Sequence, residues 1–214
     1  MFSCPYYDNY LRQRQASSHI RLLHASPNLA AVDVYANGSL IARNFRFKNF
    51  TEYMPISPGN YRIRVYPAGA SNNIVLDANV SIGPDQIFTI AIVGLLPNIS
   101  LKSILDPKMP IMRNNVMLRF ANLAPNVLKT DLAFQGGKVI FPGVNYLGVT
   151  NYTMLNPETY NFELRLPNTN KRILLVPNVR LKGNRFYTMY AVGLAEGTPA
   201  LQMLIPLDGN SYIR

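Results

Sequence analysis

The stretch His24-Ala-Ser-Pro-Asn-Leu-Ala-Ala-Val-Asp-Val-Tyr-Ala-Asn-Gly38 returns in altered form as Asn122-Leu-Ala-Pro-Asn-Val-Leu-Lys-Thr-Asp-Leu-Ala-Phe-Gln-Gly136, displaced by 98 positions. Further matches follow at an offset of 99: Tyr53 with Tyr152, Pro58 with Pro157, Tyr61 with Tyr160, Asn79-Val80 with Asn178-Val179, Thr89 with Thr188, and Val93-Gly94 with Val192-Gly193. The drift of one residue falls between Gln135 and Val149, where a loop can absorb it. Two alike units of about 100 residues favour two small cores over one large one. The expected layout is an N-terminal arm over 1–18, a first domain over 19–106, a linker over 107–114 and a second domain over 115–214. Pro107 and Pro110 place the linker, because proline cannot extend a ladder inside a sheet.

Within the first unit the pattern is a series of short apolar or alternating segments: His19 to Ala25, Val32 to Ala36, Leu40 to Arg43, Phe50 to Met54, Tyr61 to Tyr66, Ile74 to Ser81, Ile87 to Gly94 and Ile99 to Leu105. These read as strands. Asn37-Gly38 marks a two-residue hairpin, since both residues accept the positive φ of a type I′ turn. Ser57-Pro58-Gly59-Asn60 and Gly83-Pro84-Asp85 mark other joins. Alternation is clearest where Tyr61, Ile63 and Val65 share one face and Arg62, Arg64 and Tyr66 the other. No helical period is present, so the expected fold class is all-β: two tandem immunoglobulin-like β-sandwich domains with an N-terminal arm. A single sixteen-stranded barrel fits less well, because each repeat carries its own set of core faces.

Several chemistries are disfavoured. Cys4 is the only cysteine, so no intrachain disulfide and no cysteine-based zinc site can form within one chain. His19 and His24 are the only histidines. Phosphate loops, His-Glu-x-x-His and paired-cysteine spacings are missing from the sequence, so no cofactor and no metal is expected. His24, Ser26 and Asp33 hold the residue types of a hydrolytic triad, but the repeat replaces the first two by Asn122 and Ala124 while keeping Asp131. His24 and Asn122 share only hydrogen-bonding capacity, so these positions, with Asp33 and Asp131, read as loop-pinning. Each aspartate is expected to accept backbone N–H bonds from the neighbouring Ser-Pro-Asn or Ala-Pro-Asn loop.

The formal net charge is +10, and the excess lies after residue 107, where twelve cations meet five acids. Such a surface can attract an acidic partner, although cations dispersed along strands are also an ordinary solvated face. Arg43, Arg46 and Lys48 alternate with Phe45, Phe47 and Phe50, which suits an edge strand with rings inward more than a base-stacking platform. With Lys171, Arg172, Arg180, Lys182 and Arg185 they form the set of candidate contacts to an anionic ligand. Nucleic acid is not the expected partner. The chain has no apolar run of the roughly 18 residues a membrane span needs and no leader resembling a signal peptide. The first 18 residues have no regular period but hold Cys4, Tyr6, Tyr7 and Tyr10 beside Phe2. They read as an assembly arm, with Cys4 able to form a disulfide between subunits.

His24-Ala-Ser-Pro, Val32-Asp-Val-Tyr, Asn37-Gly38, Tyr53, Pro58-Gly59-Asn60-Tyr61 and Arg62-Ile-Arg-Val-Tyr-Pro-Ala-Gly69 resemble the bacterial domain of unknown function DUF4397, over residues 19 to about 105 and more faintly over 115 to about 207. The resemblance implies β-rich, often tandem domains of bacterial surface or secreted proteins, without established catalysis. Combined with the missing leader, it leads to the expectation of a non-enzymatic, self-assembling surface or spore-coat-type component deposited from inside the cell, or otherwise a cytoplasmic protein. The alternative is a monomeric module that holds an anionic polymer through its basic second domain.

Overall fold

Short alternating segments cut by Gly, Pro and Asn leave no room for helices, and in the computed structural model they become sixteen strands and one turn of 3-10 helix over Gly209–Ser211, within the described residues 17–110, 112–169 and 171–213. The first half holds β1 (Ser18–His24), β2 (Val32–Ala36), β3 (Ser39–Phe45), β4 (Met54–Ile56), β5 (Gly59–Pro67), β6 (Leu76–Ile82), β7 (Ile87–Leu95) and β8 (Asn98–Leu105). The second holds β9 (Val116–Asn122), β10 (Lys129–Phe134), β11 (Val139–Asn145), β12 (Thr153–Leu155), β13 (Thr159–Arg165), β14 (Arg172–Arg180), β15 (Arg185–Val192) and β16 (Gln202–Leu204).

The first half forms two sheets, ordered β4-β1-β7-β8 and β3-β2-β5-β6, and the second repeats both orders as β12-β9-β15-β16 and β11-β10-β13-β14. Each half is thus an immunoglobulin-like β-sandwich, and no sheet closes into a barrel. Strand order was not legible in the sequence. Neither was the parallel pairing of β1 with β7 and of β9 with β15, in ladders otherwise antiparallel. The Asn37-Gly38 hairpin has both φ values positive, 48° and 86°, as its turn requires.

Three cores hold the layers together, where the repeat led us to expect two. One lies between the sheets of the first half, around Ile20, Leu22, Val34, Ile63, Val65 and Ile90, and a second lies between those of the second half, around Leu118, Phe120, Leu132, Phe162 and Met189. The third joins the halves: Leu23, Ala91, Val93 and Ile104 pack on Ala121, Leu123, Tyr190 and Val192. The sheets containing β1 and β9 are therefore inner layers, covered on both faces along their central strands and exposed toward edge strand β8. Their central strands are buried almost without interruption, as their near-continuous apolar sequences demand.

Two expected boundaries shift. Ser18 is buried, begins β1, and donates from Oγ to the Gly83 carbonyl at 2.6 Å, so it belongs to the sandwich and not to an arm. The expected strand from Phe50 to Met54 is reduced to a bridge at Phe50 followed by the short β4, while Thr51 and Tyr53 turn inward to bond the Leu22 N–H and Asp106 and Glu52 stays exposed.

Candidate functional site

The densest polar constellation among the described residues lies at the junction of the halves. Arg21 projects from β1, one residue from the fully buried Leu22, and donates four hydrogen bonds. Nε reaches Thr89 Oγ1 on β7 at 2.8 Å, Nη1 the Leu207 carbonyl at 2.7 Å, and Nη2 both Asp208 Oδ1 at 3.1 Å and Tyr190 Oη at 3.3 Å. Arg119 on β9 does the same in the opposite direction: Nε to Thr188 at 2.7 Å, Nη1 to the Leu105 carbonyl at 2.7 Å, and Nη2 to Asp106. Each arginine is anchored to a threonine of its own half and reaches a backbone carbonyl and an aspartate of the other. A tyrosine of the same half as each aspartate holds it in place, with Tyr53 donating to Asp106 and Tyr152 to Asp208, each at 2.6 Å. Both guanidinium groups lie over these rings, at 4.7 Å from the centroids of Tyr53 and Tyr152 respectively.

All four charged side chains are at most 4% exposed. Burial opposes the charge on Arg21 and Arg119, yet the surrounding tyrosines and aspartates more than offset it, so both pKa values lie above the ordinary arginine value. Burial, and then the charge on Asp208, push the Asp106 carboxyl upward, while Arg119, Tyr53 and Arg21 pull it back. Burial drives both tyrosine pKa values up, so Tyr53 and Tyr152 remain phenols that donate. Ions this deep are tolerated only when paired and hydrogen-bonded, and here each charged group is both. Removing one partner strands the other, so the network makes the two halves depend on each other.

The sequence reading missed this site because it took strand cations as solvated. A signal was present: Arg21 and Arg119 recur at an offset of 98 inside apolar runs, alongside Tyr53/Tyr152 and Thr89/Thr188. Asp106 and Asp208 lie 102 apart and escape a fixed-offset comparison.

The residues read from the sequence fall elsewhere. His24 is fully buried, contacts the Ala30 carbonyl through Nε2 at 3.2 Å, and packs against Phe45 and Phe47. Burial lowers its pKa. Ser26 donates to the Gly94 carbonyl at 2.8 Å, so its hydroxyl proton is committed to the backbone and not to His24. Asn122 makes the equivalent contact to the Val127 carbonyl at 2.8 Å, adding one to Val144 at 3.3 Å.

Asp33 does not pin the Ser-Pro-Asn loop. It accepts from the N–H of Asn44 at 2.7 Å and of Gly69 at 3.0 Å, and these two bonds, with Arg43 nearby, lower its pKa. Asp131 likewise accepts from Gly143 N–H at 2.5 Å. The physical reason is a β-bulge: Val32 pairs with Phe45 but Val34 with Ala42, so Asp33 faces two residues, and Asn44 at φ 47° turns its free N–H toward the carboxylate. Asp131 faces Pro142 and Gly143 in the same way.

The candidate anion contacts are not gathered in one place. Arg43 and Arg46 are exposed on and beside edge strand β3, in the outer sheet of the first half, while Phe45 fills the first core and Phe47 and Phe50 pack against the third. Lys48 is exposed in the following turn. Arg172 and Arg180 bound edge strand β14 in the outer sheet of the second half, Lys171 and Lys182 flank it, and Arg185 is half-buried at the start of β15. Apart from Arg185, which starts a strand of an inner sheet, the two groups thus belong to opposite outer layers. Cys4, Tyr6, Tyr7 and Tyr10 lie outside the described residues. Among the described residues no cluster of His, Cys, Asp or Glu could hold a metal ion, and no helix is long and apolar enough to cross a membrane.

Compared with known families, residues 18–133 match the domain of unknown function DUF4397, more than half of the chain. The chain belongs to the DUF4397 family. The DUF4397 match runs through the first sandwich and the junction into β10, so it contains Arg21, Tyr53, Thr89, Asp106 and Arg119 together. Among solved structures the chain is similar to the Bacillus anthracis TIE protein, with 10% identity, a TM-score of 0.27, and coverage of 84% of this chain and 34% of that one. It is also similar to a family CBM26 module of Eubacterium rectale Amy13K in complex with maltoheptaose, with 10% identity, a TM-score of 0.26, and coverage of 89% and 96%. Likeness this distant carries no functional argument. A comparison with curated proteins finds no match.

Proposed function

We propose that this DUF4397 protein is a non-enzymatic structural and interaction unit: two tandem copies of one sandwich, welded into a stiff body that assembles through its aromatic N-terminal segment at a bacterial cell or spore surface. The observation that carries this reading is the reciprocal Arg21/Asp208 and Arg119/Asp106 exchange, which commits the deeply buried ionic groups to joining the halves rather than to a solvent-reached cleft. His24 and Ser26, the residues with catalytic potential, are separately tied to backbone carbonyls. Light scattering on the full chain and on a chain lacking residues 1–16 tests assembly. The reading expects large species that need the segment, and dissociation by reductant if Cys4 links subunits. A monomer of 24.0 kDa in every condition would refute it.

A second reading, a module that binds an anionic polymer through the basic second half, is supported by the exposed Lys171, Arg172, Arg180 and Lys182 along edge strand β14. It predicts retention on immobilised heparin that falls steeply with salt.

A further inference from the structure

The two halves share one topology, so a feature present in only one of them is not required by the fold. At one end of the second sandwich a cleft of about 680 Å³ opens between the loop before β10 and the turn joining β13 to β14. Asn126 shapes one wall, donating to the Glu196 carbonyl at 3.3 Å and accepting from Ala195 N–H at 2.9 Å, which fixes the two loops together. The lining is aliphatic through Val127, Leu166 and Ile173. Leu128, on the rim, is 77% exposed, the most exposed large hydrophobic side chain among the described residues.

Three cations surround this apolar strip. Lys129 and Lys171 make no ion pair with the described residues, and Arg172 reaches Glu163 only at 3.8 Å. Glu196 is the single acid in the lining, so the cleft is net positive. In the first half Ala30 and Ala31 stand where Leu128 and Lys129 do, and the turn matching Lys171-Arg172 is the uncharged Ser71-Asn72-Asn73. Aliphatic surface and cations have both been added at one place on a shared frame.

We propose that this cleft binds an acidic polypeptide segment, seating an aliphatic side chain against Leu128 and Ile173 while its carboxylates pair with Lys129, Lys171 and Arg172. Charge complementarity identifies the anion, and the lining identifies its class. Sugar rings are held by aromatic platforms, whereas no aromatic side chain lines this cleft and an aliphatic side chain fits it. The inference rests on the second reading above, that the basic half binds an anion, and gives it a place and a ligand class.

The test is fluorescence anisotropy with the full chain and a fluorescein-labelled peptide of alternating Glu and Leu, beside fluorescein-labelled heparin. The peptide is expected to bind, with about tenfold weaker binding in Lys171→Glu, about the size of one lost charge-assisted contact, and about tenfold again in Leu128→Asp, which replaces an apolar contact by a carboxylate that repels the ligand. Arg43→Glu, on the opposite outer layer, should leave binding unchanged. Both cleft residues are exposed, so unchanged melting temperatures will show that the variants fold. Heparin binding without peptide binding, or peptide binding indifferent to Leu128→Asp, overturns the inference while the second reading stands. Failure of both probes to bind overturns both.

Discussion

Replacing Arg21 by methionine keeps the bulk of the side chain and removes its charge and four donated hydrogen bonds. Asp208 Oδ1 loses its Arg21 donor, but Oδ2 keeps the hydroxyls of Thr188 and Tyr152, both at 2.6 Å, so the stranded carboxylate is only partly orphaned. Breaking a buried pair by removing one partner costs about 3–5 kcal/mol, and the retained hydroxyls place Arg21→Met toward the lower end. For a single cooperative unit of this size each kcal/mol is about 2–4 °C, so the melting temperature should fall by roughly 6–20 °C. Asp208→Asn should be costly alone but less than additive with Arg21→Met, with a coupling of about 2 kcal/mol in a double-mutant cycle. Guanidinium denaturation followed by circular dichroism supplies all four stabilities. A loss below about 1 kcal/mol for Arg21→Met, or additivity within about 0.3 kcal/mol, would refute the argument that the pair carries the junction.

Three further outcomes follow from the same geometry. Burial holds the His24 pKa below that of the unfolded chain, so the contribution of this residue is complete above the unfolded value and is lost as pH falls toward the folded one. Stability should therefore fall as pH drops below the ordinary histidine value of about 6.5, with a slope of at most about 1.4 kcal/mol per pH unit from this group, and His24→Asn should flatten that slope. An unchanged slope in the variant would contradict the assignment. Asp33→Ala removes the acceptor of the Asn44 and Gly69 N–H groups; both residues are exposed and water can replace part of the loss, so the cost should be about 1–3 kcal/mol in total, read by thermal melting. Because the Asp33 pKa is lowered, its contribution is present above the ordinary carboxylate range and lost as pH falls through the folded value, so the variant and the parent should converge in strong acid. Gly94→Ala should be severely destabilising, since φ is +96° and an added Cβ would lie 2.2 Å from the Asn98 carbonyl oxygen; an alanine variant that melts like the parent would refute the close approach.

The sequence made strand positions legible because β structure is encoded locally, by a period of two, by β-branched runs and by turn residues. Asn37-Gly38 and the Tyr61-Ile63-Val65 face both belong to this kind. What it did not reveal depends on contacts between residues far apart. Arg21 and Asp208 are 187 residues apart, and nothing local distinguishes an arginine buried between two sheets from one on an outer face. The third core has the same cause. An inner sheet covered on both sides needs near-continuous apolar strands, and Ile87–Leu95 and Arg185–Val192 are such runs, but the periodicity of a single strand does not say what covers its second face. The partners of Asp33 were hidden for a smaller reason. A one-residue bulge opposite it frees the Asn44 N–H, and bulges leave no signature in a sequence beyond a residue tolerant of positive φ.

The welding of the two halves is tested most directly by differential scanning calorimetry of the parent protein. The account predicts one transition, with calorimetric and van't Hoff enthalpies equal, because unfolding either half strands buried charges in the other. Two resolved transitions, or a van't Hoff enthalpy near half the calorimetric value, would contradict it.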